Sequence, residues 1–195
     1  IEGNPVLFDQ FQIAHSLIYQ FKNRQSDIGE LLDIDKFAKY YALLDLINGK
    51  HGLTWHNQRY YYNPVISKIE PINFDNFTDY FKEEKAPRAL IFRLDDGLTN
   101  KKFTNLVLYL FTSKDFIEAY ISYLEKYTDE KFIKTFYDSQ KPQIERWLPL
   151  LQEEFPEYNI EYSYLKENAE LLRNSIPRIK KNLEEGKYDN IILSD

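Results

Sequence analysis

The sequence predicts a mainly helical fold of the α+β kind: packed helices with one small β-hairpin. Three observations predict it. Apolar residues recur at threes and fours along most of the chain, the spacing of helices with one buried face. Two short runs, Arg59–Tyr62 and Lys68–Ile72, are rich in aromatic and β-branched residues and flank a five-residue turn, Asn63-Pro64-Val65-Ile66-Ser67, as a hairpin requires. The 195 residues are 43% hydrophobic and 16% aromatic, with Tyr 16 and Phe 14, enough to build one sizeable core. The expected organisation is a single helical domain over 1–186, with 187–195 as a tail or linker.

The elements follow in order. Pro5 suits the first turn of a helix, where its missing N–H would be unpaired anyway, and Leu7, Phe8, Phe11, Ala14, Leu17, Ile18 and Phe21 continue that helix. Polar residues 23–27 break it. A second helix is expected from Ile34 to Ile47, N-capped by Asp33 and closed by Gly49, with Ile34, Phe37, Ala38, Tyr41 and Leu44 as its buried stripe. In the hairpin, alternation sends Tyr60 and Tyr62 to one face and Tyr61 to the other, and Pro71 confines its strand to an edge. Residues 78–102 are charged and irregular, with a turn at Asp95-Asp96-Gly97. Helices resume at 103–111, at 115–127 behind a Thr112-Ser113 cap, and at 129–155 behind Thr128, with Pro142 and Pro149 breaking or kinking the last. A final helix, 164–185, carries Leu165, Ala169, Leu172, Ile176, Ile179 and Leu183 along one seam. Pro177 should bend it and Gly186 ends it.

Composition narrows the function classes. A net charge of -6 without a basic stripe argues against a nucleic-acid binder. The longest apolar runs, such as 106–111, are too short to span a bilayer, and no signal-peptide pattern opens the sequence. With Cys 0 there is no thiolate ligand or nucleophile, and no pair of glycines forms a phosphate-cradling loop. Met 0 and the opening Ile1-Glu2-Gly3-Asn4-Pro5 suggest a piece of a longer protein.

Chemistry concentrates between His51 and Asp75. Pairing of the strands brings the residue before the first, Asn57, near the residues after the second, at Asp75. A carboxylate and an amide oxygen form a hard-oxygen pair of the kind Mg²⁺ accepts beside phosphate oxygens and water. His51, on the loop leaving the preceding helix, could face the same space as a proton acceptor. The order of loop base, Asn, hairpin and Asp is that of protein-kinase-like phosphotransferases. The plain alternative is that Asn57 caps a turn, Asp75 caps a helix start and His51 is a solvated loop residue.

The segments 32–41 (LDIDKFAKYY), 55–64 (WHNQRYYYNP) and 69–75 (IEPINFD) together resemble the CotH kinase-like family of atypical protein kinases related to spore coat proteins. The resemblance runs from about Gly29 to Gly186, and its specific part is the block from Asn57 to Asp75. It implies the C-terminal lobe of a reduced kinase-like fold. It further implies ATP and Mg²⁺ as cofactors, and phosphoryl transfer to a Ser hydroxyl of a protein substrate. Asp75 then matches the family's metal-binding Asp, and Asn57 the Asn of its catalytic loop. The family's catalytic-loop Asp has no counterpart; His51 stands near its place. A neutral His51 could accept the substrate proton, whereas a protonated one would repel Mg²⁺, so a variant kinase and a non-catalytic pseudokinase or interaction domain both remain open. Spore coats and cell surfaces, where the family is found, imply a bacterial cell-surface or extracytoplasmic setting. An N-terminal lobe would have to supply the phosphate-holding Lys, so the 195-residue piece alone is expected to be inactive.

Of the other candidates, Trp55 and His56 adjoin the site as possible nucleotide contacts, with His56 either orienting Asn57 or facing solvent. His15 is expected to be a hydrogen-bonded structural residue beside the core, and Tyr60–Tyr62 to pack as core. Asp45 and Asp79 are expected to be surface charges, and Arg173 and Arg178 to be solvated or paired with the acidic surface.

Overall fold

The computed structural model describes residues 3–54, 56–76, 105–160 and 162–186. Asp79, the irregular segment 78–102 with its Asp95-Asp96-Gly97 turn, Trp55, and the tail 187–195 lie outside the described residues. Within them the protein is mainly helical, with one two-stranded antiparallel sheet.

Helix α1 (Pro5–Lys22) starts as the sequence dictates, with Pro at its first position and the Asn4 side chain accepting from the Leu7 N–H at 3.2 Å. Its apolar stripe is only partly used. Phe21 is buried and Ala14, Leu17 and Ile18 pack against the core, but Leu7, Phe8 and Phe11 are exposed. Periodicity identified the helix without saying how much of it would find a neighbour. His15 is exposed and lies 6.2 Å from the Phe11 ring, which corrects the expectation of a structural histidine beside the core.

A short helix that the sequence pattern did not indicate, α2 (Ile28–Leu31), is capped by Asp27, whose side chain accepts from Gly29 N at 2.7 Å. Asp33 then does two things. Its side chain caps α3 (Ile34–Leu46) by accepting from Lys36 N, and its own N–H donates to the Ile69 carbonyl at 2.9 Å. The start of α3 is thereby fixed to the hairpin. Helix α3 buries Phe37, Ala38, Tyr41, Ala42, Leu44 and Leu46. It also buries Asp45, which is 5% exposed and therefore not the surface charge expected. The reason is a partner far away in sequence: the Tyr120 hydroxyl donates to Asp45 Oδ2 from the facing helix. Asn168 adds a bond to the Asp45 carbonyl at 2.9 Å.

After Asn48, at φ 53, a 3-10 turn (Lys50–Leu53) carries the chain to the hairpin. Strands β1 (Arg59–Asn63) and β2 (Lys68–Ile72) pair from Arg59 opposite Ile72 to Asn63 opposite Lys68. Tyr60 and Tyr62 pack against the core while Tyr61 is exposed, as alternation requires. In a two-stranded ribbon both strands are edges, so Pro71 is tolerated. Glu70 is buried on β2 and held by Lys36 Nζ at 2.7 Å and Asn63 Nδ2 at 2.7 Å.

The C-terminal half comprises α4 (Asn105–Leu110), α5 (Lys114–Thr128), α6 (Glu130–Glu154) and α7 (Tyr162–Glu184). Ser113 caps α5, as expected. Asp129, not Thr128, caps α6, because Thr128 ends the previous helix and its hydroxyl donates to the Leu124 carbonyl. Helix α6 continues through Pro142 and Pro149 without interruption, as α7 does through Pro177. Seam residues Ala169, Leu172, Ile176 and Ile179 of α7 are buried, and Arg173 is paired with Glu130 at 2.9 Å and with the Thr128 carbonyl. The main helical interface is α3 on α5, with α5 on α7 behind it. Tyr41, Phe111, Phe116 and Tyr120 interlock at its centre. No helix among the described residues is long and apolar enough to cross a membrane.

Candidate functional site

The base of the hairpin gathers residues from three segments. The 3-10 turn presents His51, the approach to β1 presents Asn57, and the loop leaving β2 presents Asp75. Because β1 and β2 pair in register at Arg59 and Ile72, residues just outside that pair must lie at the same end. Arg59 reinforces the closure, its guanidinium lying 4.8 Å from the centre of the Phe74 ring.

The three side chains meet directly. Asn57 Nδ2 donates to Asp75 Oδ2 at 2.8 Å and to the His51 carbonyl at 3.0 Å. His51 Nδ1 lies 3.1 Å from Asp75 Oδ2. Asn57 is 5% exposed, whereas the side chains of His51 and Asp75 are 53% and 42% exposed. A buried amide thus ties two accessible groups together. Thr54 braces the same turn, its hydroxyl donating to the His51 carbonyl at 2.8 Å.

Hydrogen-bond chemistry assigns the roles. The His51 carbonyl and the Asp75 carboxylate only accept, so the Asn57 group facing both of them is its nitrogen, and its two N–H bonds are spent there. Asp75 Oδ2 next to His51 Nδ1 then calls for a proton on Nδ1. In the neutral imidazole the lone pair consequently sits on Nε2, as in other carboxylate–histidine pairs. The Asn57 contact with His51 Nδ1, 3.1 Å, is a close approach of two donors and not a third bond.

The sequence reading brought Asn57 and Asp75 together, and the coordinates do the same. They differ in which end of the amide faces the carboxylate. The expected pair of oxygens is a nitrogen–oxygen pair, so Asn57 here positions Asp75. Ligation of a cation by Asn57 would require the amide to turn over. Asp75 Oδ2 is shared between Asn57 and His51, and its carboxylate is the one ligand of the hard-oxygen type among the three side chains as they are oriented. Among the described residues no group of three or more His, Cys, Asp or Glu is placed to hold a metal ion. His56 is exposed, its ring perpendicular to that of His51 at 6.5 Å and its Nε2 3.4 Å from the Thr54 hydroxyl.

Sequence reasoning missed Tyr40, Gly52 and Asn76. The Tyr40 hydroxyl donates to Asn76 Oδ1 at 3.2 Å, and burial pushes its phenol up to about 12, so it remains a donor across the neutral range. The available signal was positional: Gly52 and Asn76 directly follow His51 and Asp75. A cleft between α6 and α7, lined by Glu130, Tyr162, Lys166 and Arg173, lies on other helices and contains none of the site residues.

No family model, curated protein or solved structure matches the chain.

Proposed function

We propose that the chain is the C-terminal lobe region of a CotH-like atypical kinase, transferring the γ-phosphoryl group of ATP to a Ser hydroxyl of a protein substrate. The observation that supports this best is the convergence of His51, Asn57 and Asp75 at one end of the hairpin. Mg²⁺ would neutralise charge on the phosphates and hold them in line for attack. Asp75 is the ligand this chain offers to it. Asn57 holds the Asp75 carboxylate in place. His51 directs Nδ1–H at Asp75, and its Nε2 would take the hydroxyl proton. The serine oxygen forms the new bond to phosphorus, the bond to the ADP oxygen breaks, and the proton leaves to His51.

A non-catalytic interaction domain is the second reading. Its support is the orientation of the Asn57 amide, whose nitrogen and not its oxygen faces Asp75. Titrating the full-length protein with ATP, with and without Mg²⁺, separates the two. The phosphotransferase reading expects Mg²⁺-dependent binding that Asp75→Ala abolishes, and transfer of labelled phosphate that His51→Ala slows. Indistinguishable binding by wild type and Asp75→Ala would favour the interaction domain.

A further inference from the structure

Asp75 has φ 50, the left-handed region that few residues besides glycine, asparagine and aspartate enter. The strand ladder ends before it, at Ile72. The constraint on its other side is Asn76. Asn76 Oδ1 accepts from the Tyr40 hydroxyl of α3 at 3.2 Å, and the same oxygen lies where a side chain at Gly52 would start. A Cβ at Gly52 would stand 1.9 Å from Asn76 Oδ1, 3.1 Å from its Cγ and 3.1 Å from the Tyr40 hydroxyl oxygen. Three segments therefore meet at one point, where a Cβ at residue 52 would displace the Asn76 side chain. Two of the meeting residues are the covalent neighbours of His51 and Asp75.

We infer that Tyr40, Gly52 and Asn76 form a latch that positions the Asp75 carboxylate against His51 and Asn57. Tyr40 anchors the latch to α3, Gly52 provides the space, and Asn76 transmits the position to Asp75. None of the three touches the reacting groups, so all are positioning residues. The latch stands on geometry alone; its consequence for Mg²⁺ rests on the phosphotransferase reading.

The test uses the full-length protein with Tyr40→Phe, Asn76→Ala and Gly52→Ala, each first checked for wild-type helical content. Two quantities are read: the NMR signals of the Asn57 side-chain amide, and the Mg²⁺ concentration that half-saturates ATP binding. The latch predicts that every folded variant shifts the Asn57 amide signals. Loss of one neutral hydrogen bond in Tyr40→Phe should raise the half-saturating Mg²⁺ about fivefold. The Gly52→Ala clash should raise it further. Because Tyr40 and Asn76 act through one bond, the Tyr40→Phe/Asn76→Ala double variant should be no worse than Asn76→Ala alone. Unmoved Asn57 amide signals in folded Tyr40→Phe and Asn76→Ala would overturn the latch, whatever ATP does. A wild type that binds no Mg·ATP, with amide signals that still shift, overturns the phosphotransferase reading and leaves the latch supported.

Discussion

Replacing Tyr120 by Phe removes one oxygen atom from the centre of the protein and leaves the packing volume nearly unchanged. Tyr120 is fully buried on α5, and its hydroxyl donates to the carboxylate of Asp45, which is 5% exposed on α3. Phe fits the same space, so there is no cavity to add to the loss. What is lost is a hydrogen bond to a charged acceptor in a poorly solvated place, worth about 1.5–3 kcal/mol. For a chain of this size, roughly 2–4 °C of melting temperature per kcal/mol turns that into a drop of roughly 3–12 °C. Urea unfolding followed by far- and near-ultraviolet circular dichroism measures the loss in free energy, the two signals together checking for a single transition, and a thermal scan measures the drop in melting temperature. Asp45→Asn keeps an acceptor for the hydroxyl, so the Tyr120→Phe/Asp45→Asn double variant should lose less than the sum of its parts. A Tyr120→Phe protein within about 0.5 kcal/mol of wild type, the range of an ordinary surface change, would refute the reasoning.

Other outcomes follow from the same physical terms. Leu124→Ala, at a fully buried site on α5, should destabilise by about 2–5 kcal/mol in the same urea experiment. Asn57→Ala removes the donor shared by Asp75 and the His51 carbonyl, and should lower stability by about 1–2 kcal/mol while broadening the NMR signals of residues 51–54. Glu70 titrates below its ordinary value of 4.5, first because Lys36 hydrogen-bonds its carboxylate, then through its bond from Asn63, against the opposing effect of burial. A depressed carboxylate stabilises the fold above its unfolded value and ceases to do so as pH falls through the lower folded value. Glu70→Gln should therefore destabilise at pH 7 and flatten the loss of stability below pH 4.5, as read from urea midpoints at several pH values.

Local signals were legible in the sequence and long-range ones were not. Asp33 announces the start of α3 because capping is decided by a side chain and the N–H three residues on, at Lys36. The hairpin was readable for the same reason, since two aromatic and β-branched runs around a turn rich in Asn, Pro and Ser need no other part of the chain. Its pairing then placed Asn57 beside Asp75. Asp45 was misjudged because its partner, Tyr120, lies 75 residues away. The exposed face of α1 was misjudged because periodicity reports which side of a helix is apolar, not whether a neighbour covers it. The orientation of the Asn57 amide follows from two acceptors that surround it only in the folded state, and the contact of Tyr40 with Asn76 spans 36 residues.

Substitution of Mn²⁺ for Mg²⁺ in the presence of ATP tests the central claim most directly. The unpaired electrons of Mn²⁺ broaden the NMR signals of nearby nuclei. With the full-length protein, the account predicts that Mn·ATP broadens the His51 ring and Asn57 side-chain signals first, and that Asp75→Ala removes the effect. Broadening centred on another part of the protein, or unchanged by Asp75→Ala, would contradict it.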